Sequence, residues 1–406
     1  MKNVKGTITD LSDSFLDAMR RVQDPPADAV AVDMVIRGDY ALFADLVRQH
    51  KVWEADGEPS LQLPDDVRRY LKDSSTLPSW LKPEVVRHGE EFFLLYGVSS
   101  ATLLACASLP ECYLMRYGTE VLCFTKFLQL DPARRIRETA QMIMSVMCPG
   151  GLVARSGVGI GVRSTQKVRV MHATIRCMIA RDPGTPANPS DVSLQQKMGA
   201  PINQEDLAFT LMTFSYVAIR GFKRLGVPMT RRQQDAYVHC WNVVGFLMGV
   251  NEELLPDGFD EAEILYNAIV KRQAGQSAAG QRLTKALMDL LERLMPPGLK
   301  SLPTELTRRL VGPDTADLLA LPRAPFRDRV LLWVTLTSWR LTVRVGSLFH
   351  RARPYRFASE SIHKLLLDRM GNLPGHAPFN IPPEFIARWL PGQAPLVDTA
   401  EDRMST

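Results

Sequence analysis

The sequence predicts an all-α fold. Apolar residues recur three and four positions apart along most of the 406-residue chain, and no stretch alternates apolar and polar residues as a half-buried strand would. Helix start and stop signals divide this pattern into segments of ordinary helix length. Hydrophobic residues make up 46% of the chain and charged residues 23%, as is typical of a globular protein with a large core.

The helical pattern divides into three parts along the chain. An N-terminal helical arm is predicted over residues 1–85, where P-P-A-D and L-P-S-W interrupt the periodicity. A core is predicted over residues 86–255, and a C-terminal helical extension over residues 256–406. We expect the arm to wrap around the core and the extension to pack on it, so that the three parts form a single composite domain.

Cap signals place three helices within the predicted core. The Asp-Pro pair at 131–132 offers an N-cap followed by a proline at the first helical position. Asn203 opens a second helix, for which Gly226 is a natural C-terminal stop. Thr230 with Gln233 three residues later predicts a capping box at the start of a third helix.

Two segments break the helical pattern. Residues 147–161 contain C-P-G-G and G-V-G-I-G. A glycine-rich motif of the second kind indicates a dinucleotide-binding loop only when a β-strand directly precedes it. Because no strand is predicted there, we interpret the segment as a glycine-rich connection between helices. Residues 181–201 are rich in Pro, Gly, Ser and Asn and predict a long surface loop.

The charge and the cysteines argue against several classes of protein. The formal net charge of +5 is spread along the chain and does not favour a nucleic-acid partner. The densest basic stretch, residues 340–356, could form a phosphate-binding or membrane-surface patch, although a solvated helix end is the simpler interpretation. The six cysteines form no C-x-x-C motif, which predicts reduced thiols.

The expected location is the cytoplasm. The first residues lack the apolar stretch of a secretory signal, so that secretion is expected only if a leader has been removed. No nearly apolar run reaches the roughly 18 residues that a membrane span requires. We therefore expect no stable membrane span. A monomer is the favoured oligomeric state.

Most familiar catalytic motifs are missing from the sequence. It contains no H-E-x-x-H, no C-x-x-C-H for covalent haem attachment and no G-x-S-x-G. A single E-x-x-H, Glu360 to His363, falls short of the two such motifs of a carboxylate di-iron bundle. What remains is one histidine in a basic, apolar stretch, K-V-R-V-M-H-A-T-I-R at 167–176.

In that stretch His172 lies on the apolar face of a helix. Lys167, Arg169 and Arg176 lie close by in the sequence. A non-covalently bound haem needs an apolar slot, a neutral imidazole and cations for its propionates, so all four residues are candidates to bind this cofactor. A buried histidine that only hydrogen-bonds a neighbour is the alternative, and His239 on another helix is a competing candidate.

Five stretches together resemble the latex clearing proteins, or rubber oxygenases, and the related MpaB-type haem oxygenases. They keep the family's order across the middle of the chain. The stretches are P-E-C-Y at 110–113, R-I-R-E-T at 135–139, V-R-V-M-H-A-T-I-R at 168–176, P-I-N-Q-E-D-L at 201–207 and D-A-Y-V-H-C-W-N-V-V-G-F-L-M-G-V at 235–250.

The resemblance implies a globin-like helical core around haem b, with His172 as the proximal iron ligand. It implies that Glu111 acts as a base toward an allylic proton of the substrate, with a salt bridge to an arginine as the structural alternative. Arg135 and Thr139 would lie on the distal side of the haem. The sequence departs from the rubber oxygenases at Glu138, where they carry a lysine, so that we expect an open or water-occupied distal site.

The predicted activity is that of a haem b-dependent dioxygenase, which uses O2 to cleave carbon–carbon double bonds of an apolar, isoprenoid substrate. Glu111, Arg135, Glu138 and Thr139 are the predicted catalytic residues. Glu138 weakens the case for polyisoprene itself as the substrate. The alternatives are a haem-based gas or redox sensor without turnover and a helical lipid-binding protein.

Overall fold

A computed structural model describes residues 8, 10–39, 42, 59–60, 62–124, 132–154, 159–293, 295 and 297–349. Helices account for the regular structure of these residues, among which no strand occurs, so that the all-α prediction is confirmed. The helices are α1 (Asp13–Met19), α2 (Pro25–Arg37), α3 (Asp65–Asp73), α4 (Pro83–Leu103), α5 (Leu109–Cys112), α6 (Gly118–Phe124), α7 (Pro132–Met147), α8 (Ile160–Ala180), α9 (Val192–Met198), α10 (Gln204–Phe214), α11 (Tyr216–Leu225), α12 (Arg231–Leu247), α13 (Phe259–Gln273), α14 (Ala278–Arg293), α15 (Leu302–Val311), α16 (Pro313–Leu318) and α17 (Phe326–Phe349).

The predicted helix starts of the core are confirmed. α7 begins at Pro132, whereas its predicted N-cap Asp131 lies outside the described residues. The Asn203 side chain accepts a hydrogen bond from the backbone N–H of Asp206 and so caps α10. Thr230 and Gln233 form the reciprocal capping box of α12. These caps supply partners for backbone N–H groups that the helix itself leaves without one.

Two segments differ from their predicted structure. The single helix expected between Asn203 and Gly226 is divided at Ser215, which separates α10 from α11. The Ser215 hydroxyl donates to the carbonyl of Leu211 (2.9 Å), a local bond that competes with regular helix geometry. The loop predicted over residues 181–201 contains α9, whose N-terminus is capped by the Asp191 side chain.

The core is built around α4 and α12, which pack along each other. A Cβ added to Gly89 of α4 would lie 2.8 Å from the carbonyl oxygen of Ala236 in α12, so that only glycine allows the helices this close. The apolar cluster that contains Val86 of α4 and Trp241 of α12 also contains Leu310, Leu332 and Leu336 of the C-terminal helices. The C-terminal helices therefore pack on the core, whereas the predicted boundaries between the three parts stay a prediction.

The N-terminal arm is attached to the core through the P-I-N-Q-E-D-L stretch. The side-chain amide of Gln204 donates to the carbonyls of Gln23 (2.8 Å) and Gly249 (2.9 Å). Glu205, which is fully buried, accepts a hydrogen bond from the guanidinium of Arg20 at 2.8 Å. This stretch therefore holds the arm on the core. None of the described helices is both long and apolar enough to cross a bilayer.

Candidate active site

Glycines bring the end of α7 against the start of α8. The backbone N–H of Gly161 donates to the carbonyl of Gly151 at 2.9 Å. A Cβ on Gly161 would lie 2.6 Å from that oxygen and 2.8 Å from Cα of Val146. Only glycine permits such a close contact between two backbones. The described glycines of this connection therefore serve helix packing, and they fix how α7 and α8 diverge toward the candidate site.

His172 is the one incompletely buried residue in the 170–176 segment of α8. Met171 and Ala173 on either side are buried, whereas the His172 side chain is half-buried with Nδ1 shielded from solvent. Val168, one turn earlier on the same side of the helix, is also half-buried. The imidazole therefore lies at an edge of the packed core, where a ligand can reach it.

Two neighbouring helices present further half-buried residues. α7 packs against α8, and α14 packs against both α6 and α7. Val121 and Phe124 of α6 belong to the same apolar cluster as Val170 and Met171 of α8. We give the name three-helix face to nine half-buried residues that α6, α7 and α8 contribute: Leu122, Cys123, Phe124, Ile136, Glu138, Thr139, Met142, Val168 and His172. Phe124 and Val168 pack against the α8 cluster, whereas Leu122, Cys123 and Ile136 pack against the cluster around Tyr113 and Leu283, and Met142 packs against the main core.

His239, the competing candidate, is a core residue. It is 1% exposed, and its Nε2 accepts the backbone N–H of Lys82 at 3.2 Å. The Trp80 ring packs edge-on against its imidazole, with 5.6 Å between the ring centroids. Burial, together with the Lys82 charge, lowers the pKa of His239 to about 4, so that the ring is neutral at physiological pH. These contacts engage Nε2 and enclose the ring within the core.

The arginines next to His172 bind acids of the N-terminal arm. Arg169 donates to both carboxylate oxygens of Asp24, at 2.7 and 2.8 Å. Arg176 donates to Asp28 at 2.6 Å. The two ion pairs fasten α2 and its first turn to α8. They give both arginines a structural role, and the contact of Lys167, Arg169 and Arg176 with a cofactor stays a prediction.

Glu111 lies in a buried cluster of charged and aromatic residues. It is 1% exposed, accepts the phenol O–H of Tyr266 at 2.5 Å, and forms an ion pair with Arg220. Burial raises the pKa of the Glu111 carboxyl, while the Arg220 charge and the Tyr266 hydrogen bond oppose that rise. The ion pair with Arg220 is the salt bridge that Sequence analysis gave as the structural alternative. The role of Glu111 as a base stays a prediction.

The predicted distal residues lie on α7. Glu138 and Thr139 are both half-buried members of the three-helix face. Arg135 belongs to α7 one turn before Thr139, but its side chain lies outside the described residues. Among the apolar neighbours, Met142 is half-buried and Ile143 is core.

Glu120 is an acid on α6 that the sequence reasoning missed. Its side chain is half-buried, and burial raises its pKa, with the Arg282 charge opposing the rise. Phe124, one turn later on the same side of α6, packs against the α8 cluster. The signal that could have identified it is a glutamate placed directly before the apolar stretch V-L-C-F at 121–124.

A buried acid on α4 stabilises the turn that connects α7 with α8. Glu90 is 3% exposed, and its Oε1 accepts the backbone N–H of Gly150 at 3.3 Å. Burial raises the pKa of Glu90 to about 7 from the ordinary value of 4.5. The folded protein therefore binds a proton here more tightly than the unfolded chain does.

We expect this acid to make stability depend on pH. A raised acid pKa contributes stability that is fully present below the unfolded value, about 4.5, and is lost as the pH rises through about 7. The free energy of unfolding should fall by up to about 3 kcal/mol over that range. Glu90→Gln should flatten this dependence in denaturant titrations at several pH values. Glu91→Gln, at the exposed neighbouring position, should keep it; an unchanged slope in Glu90→Gln would contradict the assignment.

The fold and the site together define an all-helical protein in which α8 carries the half-buried His172, and comparison with known proteins assigns its class. Residues 85–346 match the family model described as ER-bound oxygenase mpaB/B′/Rubber oxygenase, catalytic domain. The chain belongs to this family of oxygenases, as the resemblance predicted. It is similar to the rubber oxygenase of Streptomyces sp. (strain K30), with 24% identity over 323 residues, 79% of this chain and 75% of that protein.

A solved structure shares the fold. Latex clearing protein in the closed state superposes with a TM-score of 0.68 and 22% sequence identity. The match covers 86% of this chain and 91% of that protein. Most of the helical arrangement described above is therefore shared with a known protein.

Proposed function

We propose that this protein is a haem b-dependent dioxygenase that cleaves carbon–carbon double bonds of an apolar isoprenoid compound, with haem bound at the three-helix face. Membership of an oxygenase family supports the reaction class. The observation that carries the proposal is the position of His172, half-buried within an otherwise buried stretch of α8. His239 is the weaker candidate because its ring is 1% exposed within the core and the backbone N–H of Lys82 already donates to its Nε2.

The residues of the three-helix face suit a haem group. His172 offers an imidazole nitrogen, and Leu122, Phe124, Met142 and Val168 offer the apolar surroundings that a porphyrin requires. Haem bound there would supply the binding and activation of dioxygen. The protein's own part is to orient the substrate and to exclude water.

Polar groups on α7 would control the distal side. The Thr139 hydroxyl can donate a hydrogen bond, and Arg135 one turn earlier lies on the same side of α7. Glu138 offers a carboxylate in place of an amine, and a carboxylate is a harder, weaker ligand for ferrous iron than a neutral amine. The distal side should therefore remain open to dioxygen.

A base is required to accept the allylic proton of the substrate, and two acids compete for this role, the buried Glu111 and the half-buried Glu120. Glu111, which the resemblance favours, could act only if its bonds to Arg220 and Tyr266 opened. Glu120 lies on α6 with a pKa raised by burial, and no described side chain donates a hydrogen bond to its carboxylate. A carboxylate of this kind suits proton abstraction, and we assign the role to Glu120.

Optical spectra of the purified protein, with and without dithionite and carbon monoxide, test haem binding directly. A Soret band that shifts on reduction and on addition of carbon monoxide is expected. Incubation with squalene or β-carotene under oxygen should then yield carbonyl products. A haem-loaded protein that yields none would favour a gas or redox sensor, and a preparation without a Soret band would contradict the haem proposal.

Glu120→Gln should lower turnover at least tenfold, about the smaller end of what acid–base groups contribute, and leave the Soret band unchanged. The expected loss arises because an amide cannot accept the proton. Carbonyl product formation under saturating oxygen is the measurement. Glu91→Gln, at an exposed position on α4, is the matched control. Wild-type turnover in Glu120→Gln would exclude Glu120 as the base.

A further inference from the structure

The C-terminal helix α17 exposes an apolar stripe. Phe326 is 77% exposed and Trp333 56% exposed, and Val330 and Val334 are exposed as well. Their spacing of three, four and seven residues places them along one side of the helix. Leu332 on another side is buried in the core, so that α17 carries more apolar surface than its packing against the protein uses. A contiguous exposed apolar stripe of this kind marks an interaction surface.

A basic cleft lies beside this stripe. It encloses about 400 Å³ between α11, α15 and α17. Four cations and four leucines line it: Lys223, Arg224, Arg309, Arg340, Leu225, Leu306, Leu310 and Leu336. No carboxylate lines the cleft among the residues that the structure describes. The cleft therefore combines positive charge with apolar walls.

The cleft is fixed in place by hydrogen bonds to backbone carbonyls. Arg340 donates to the carbonyl of Arg224 at 2.6 Å, and Arg224 donates to the carbonyl of Leu310. Lys223 lies over the Phe259 ring, with acids of α12 and α13 near its ammonium, so that its charge is partly offset. Arg340 follows Trp333 by seven residues on the same side of α17, which makes the stripe and the cleft continuous.

We propose that this face docks on a membrane surface that contains anionic lipid. Lipid phosphates would lie in the basic cleft, while Phe326, Val330 and Trp333 enter the boundary between headgroups and acyl chains. Tryptophan favours that boundary, and basic residues near an anionic surface each contribute about 1 kcal/mol. α17 would lie on the membrane, in agreement with the finding that no described helix could cross one.

A second copy of the chain suits this face less well. In a two-fold dimer the same patch meets itself, so that the cations of the cleft would face one another. Their repulsion opposes such an interface, whereas the phosphates of an anionic bilayer complement the charge. Membrane docking here does not depend on whether haem binds near His172.

Vesicle co-sedimentation of the full chain tests the proposal. Binding is expected to vesicles that contain phosphatidylglycerol and not to phosphatidylcholine alone, and salt should weaken it. Arg309→Gln should lower the partition coefficient about fivefold, and Trp333→Ser about tenfold. Arg68→Gln on α3 and Ile36→Ser on α2, at positions far from α17 in the sequence, are the matched controls and should bind as the wild type does.

Three outcomes would overturn the proposal. The first is absence of binding to anionic vesicles, or binding that Arg309→Gln and Trp333→Ser leave unchanged. The second is saturable binding of inorganic phosphate without vesicle binding, which would assign the cleft to a small anion. The third is a dimer in light scattering that Trp333→Ser disperses, which would assign the stripe to a second copy.

Discussion

Replacement of His172 by alanine should abolish stoichiometric haem retention. The imidazole is the one side chain between residues 170 and 176 of α8 that is not buried in the core, and its removal would take the proposed iron ligand from the three-helix face. The apolar residues around it would still bind a porphyrin weakly, but without a fixed axial nitrogen. The ratio of Soret to protein absorbance after purification and gel filtration measures the loss.

Two further experiments separate ligation from general damage. Imidazole added to His172→Ala should restore the Soret band, because the small ligand can occupy the space that the side chain vacated. His239→Gln should retain haem, since His239 bonds the Lys82 backbone within the core. Full haem retention in His172→Ala, or loss of haem only in His239→Gln, would transfer the ligand assignment to another residue.

Local sequence signals predicted much of the helical fold. The capping box at Thr230 and the N-cap at Asn203 depend on side chains within one turn of the groups they bind, so that sequence spacing suffices. The break at Ser215 is different. A serine within a helical pattern is compatible with either a continuous or an interrupted helix. Which of the two forms depends on tertiary packing, and α10 and α11 pack against different sets of neighbours.

The partners of the site residues could not be predicted in the same way. Arg169 is bound by Asp24, 145 residues earlier, and Arg220 meets Glu111 from 109 residues away. Sequence spacing predicted cations within one turn of His172 on the same helix, but it could not show that acids of the arm bind Arg169 and Arg176. Long-range ion pairs of this kind depend on the tertiary fold and leave no periodic signal.

The two ion pairs of α8 suggest how the arm contributes to the site. Asp24 and Asp28 lie one turn apart at the start of α2, and they hold Arg169 and Arg176 on the helix that carries His172. Removal of one partner of such a buried pair is costly, because the other charge is left uncompensated. The arm therefore contacts α8 on both sides of His172 in the sequence, three residues before it and four residues after it.

Glu111→Gln should lower the free energy of unfolding by about 3 kcal/mol or more. The change leaves the Arg220 guanidinium, which is mostly buried, without a compensating carboxylate, and removal of one partner of a buried pair is costly for this reason. Tyr266→Phe, which removes only the hydrogen bond to the carboxylate, should cost about 1–3 kcal/mol. Denaturant titrations of the purified variants at one pH give both values.

A double variant distinguishes a structural from a chemical role for Glu111. Glu111→Leu combined with Arg220→Met removes both charges, and we expect it to recover much of the stability lost in Glu111→Gln, because well-packed apolar residues can replace a buried pair. If instead Glu111→Gln unfolds like the wild type, keeps its haem and loses turnover at least tenfold, Glu111 and not Glu120 accepts the proton. The ion pair with Arg220 would then have to open during the reaction, and Arg220→Lys should shift the pH dependence of turnover.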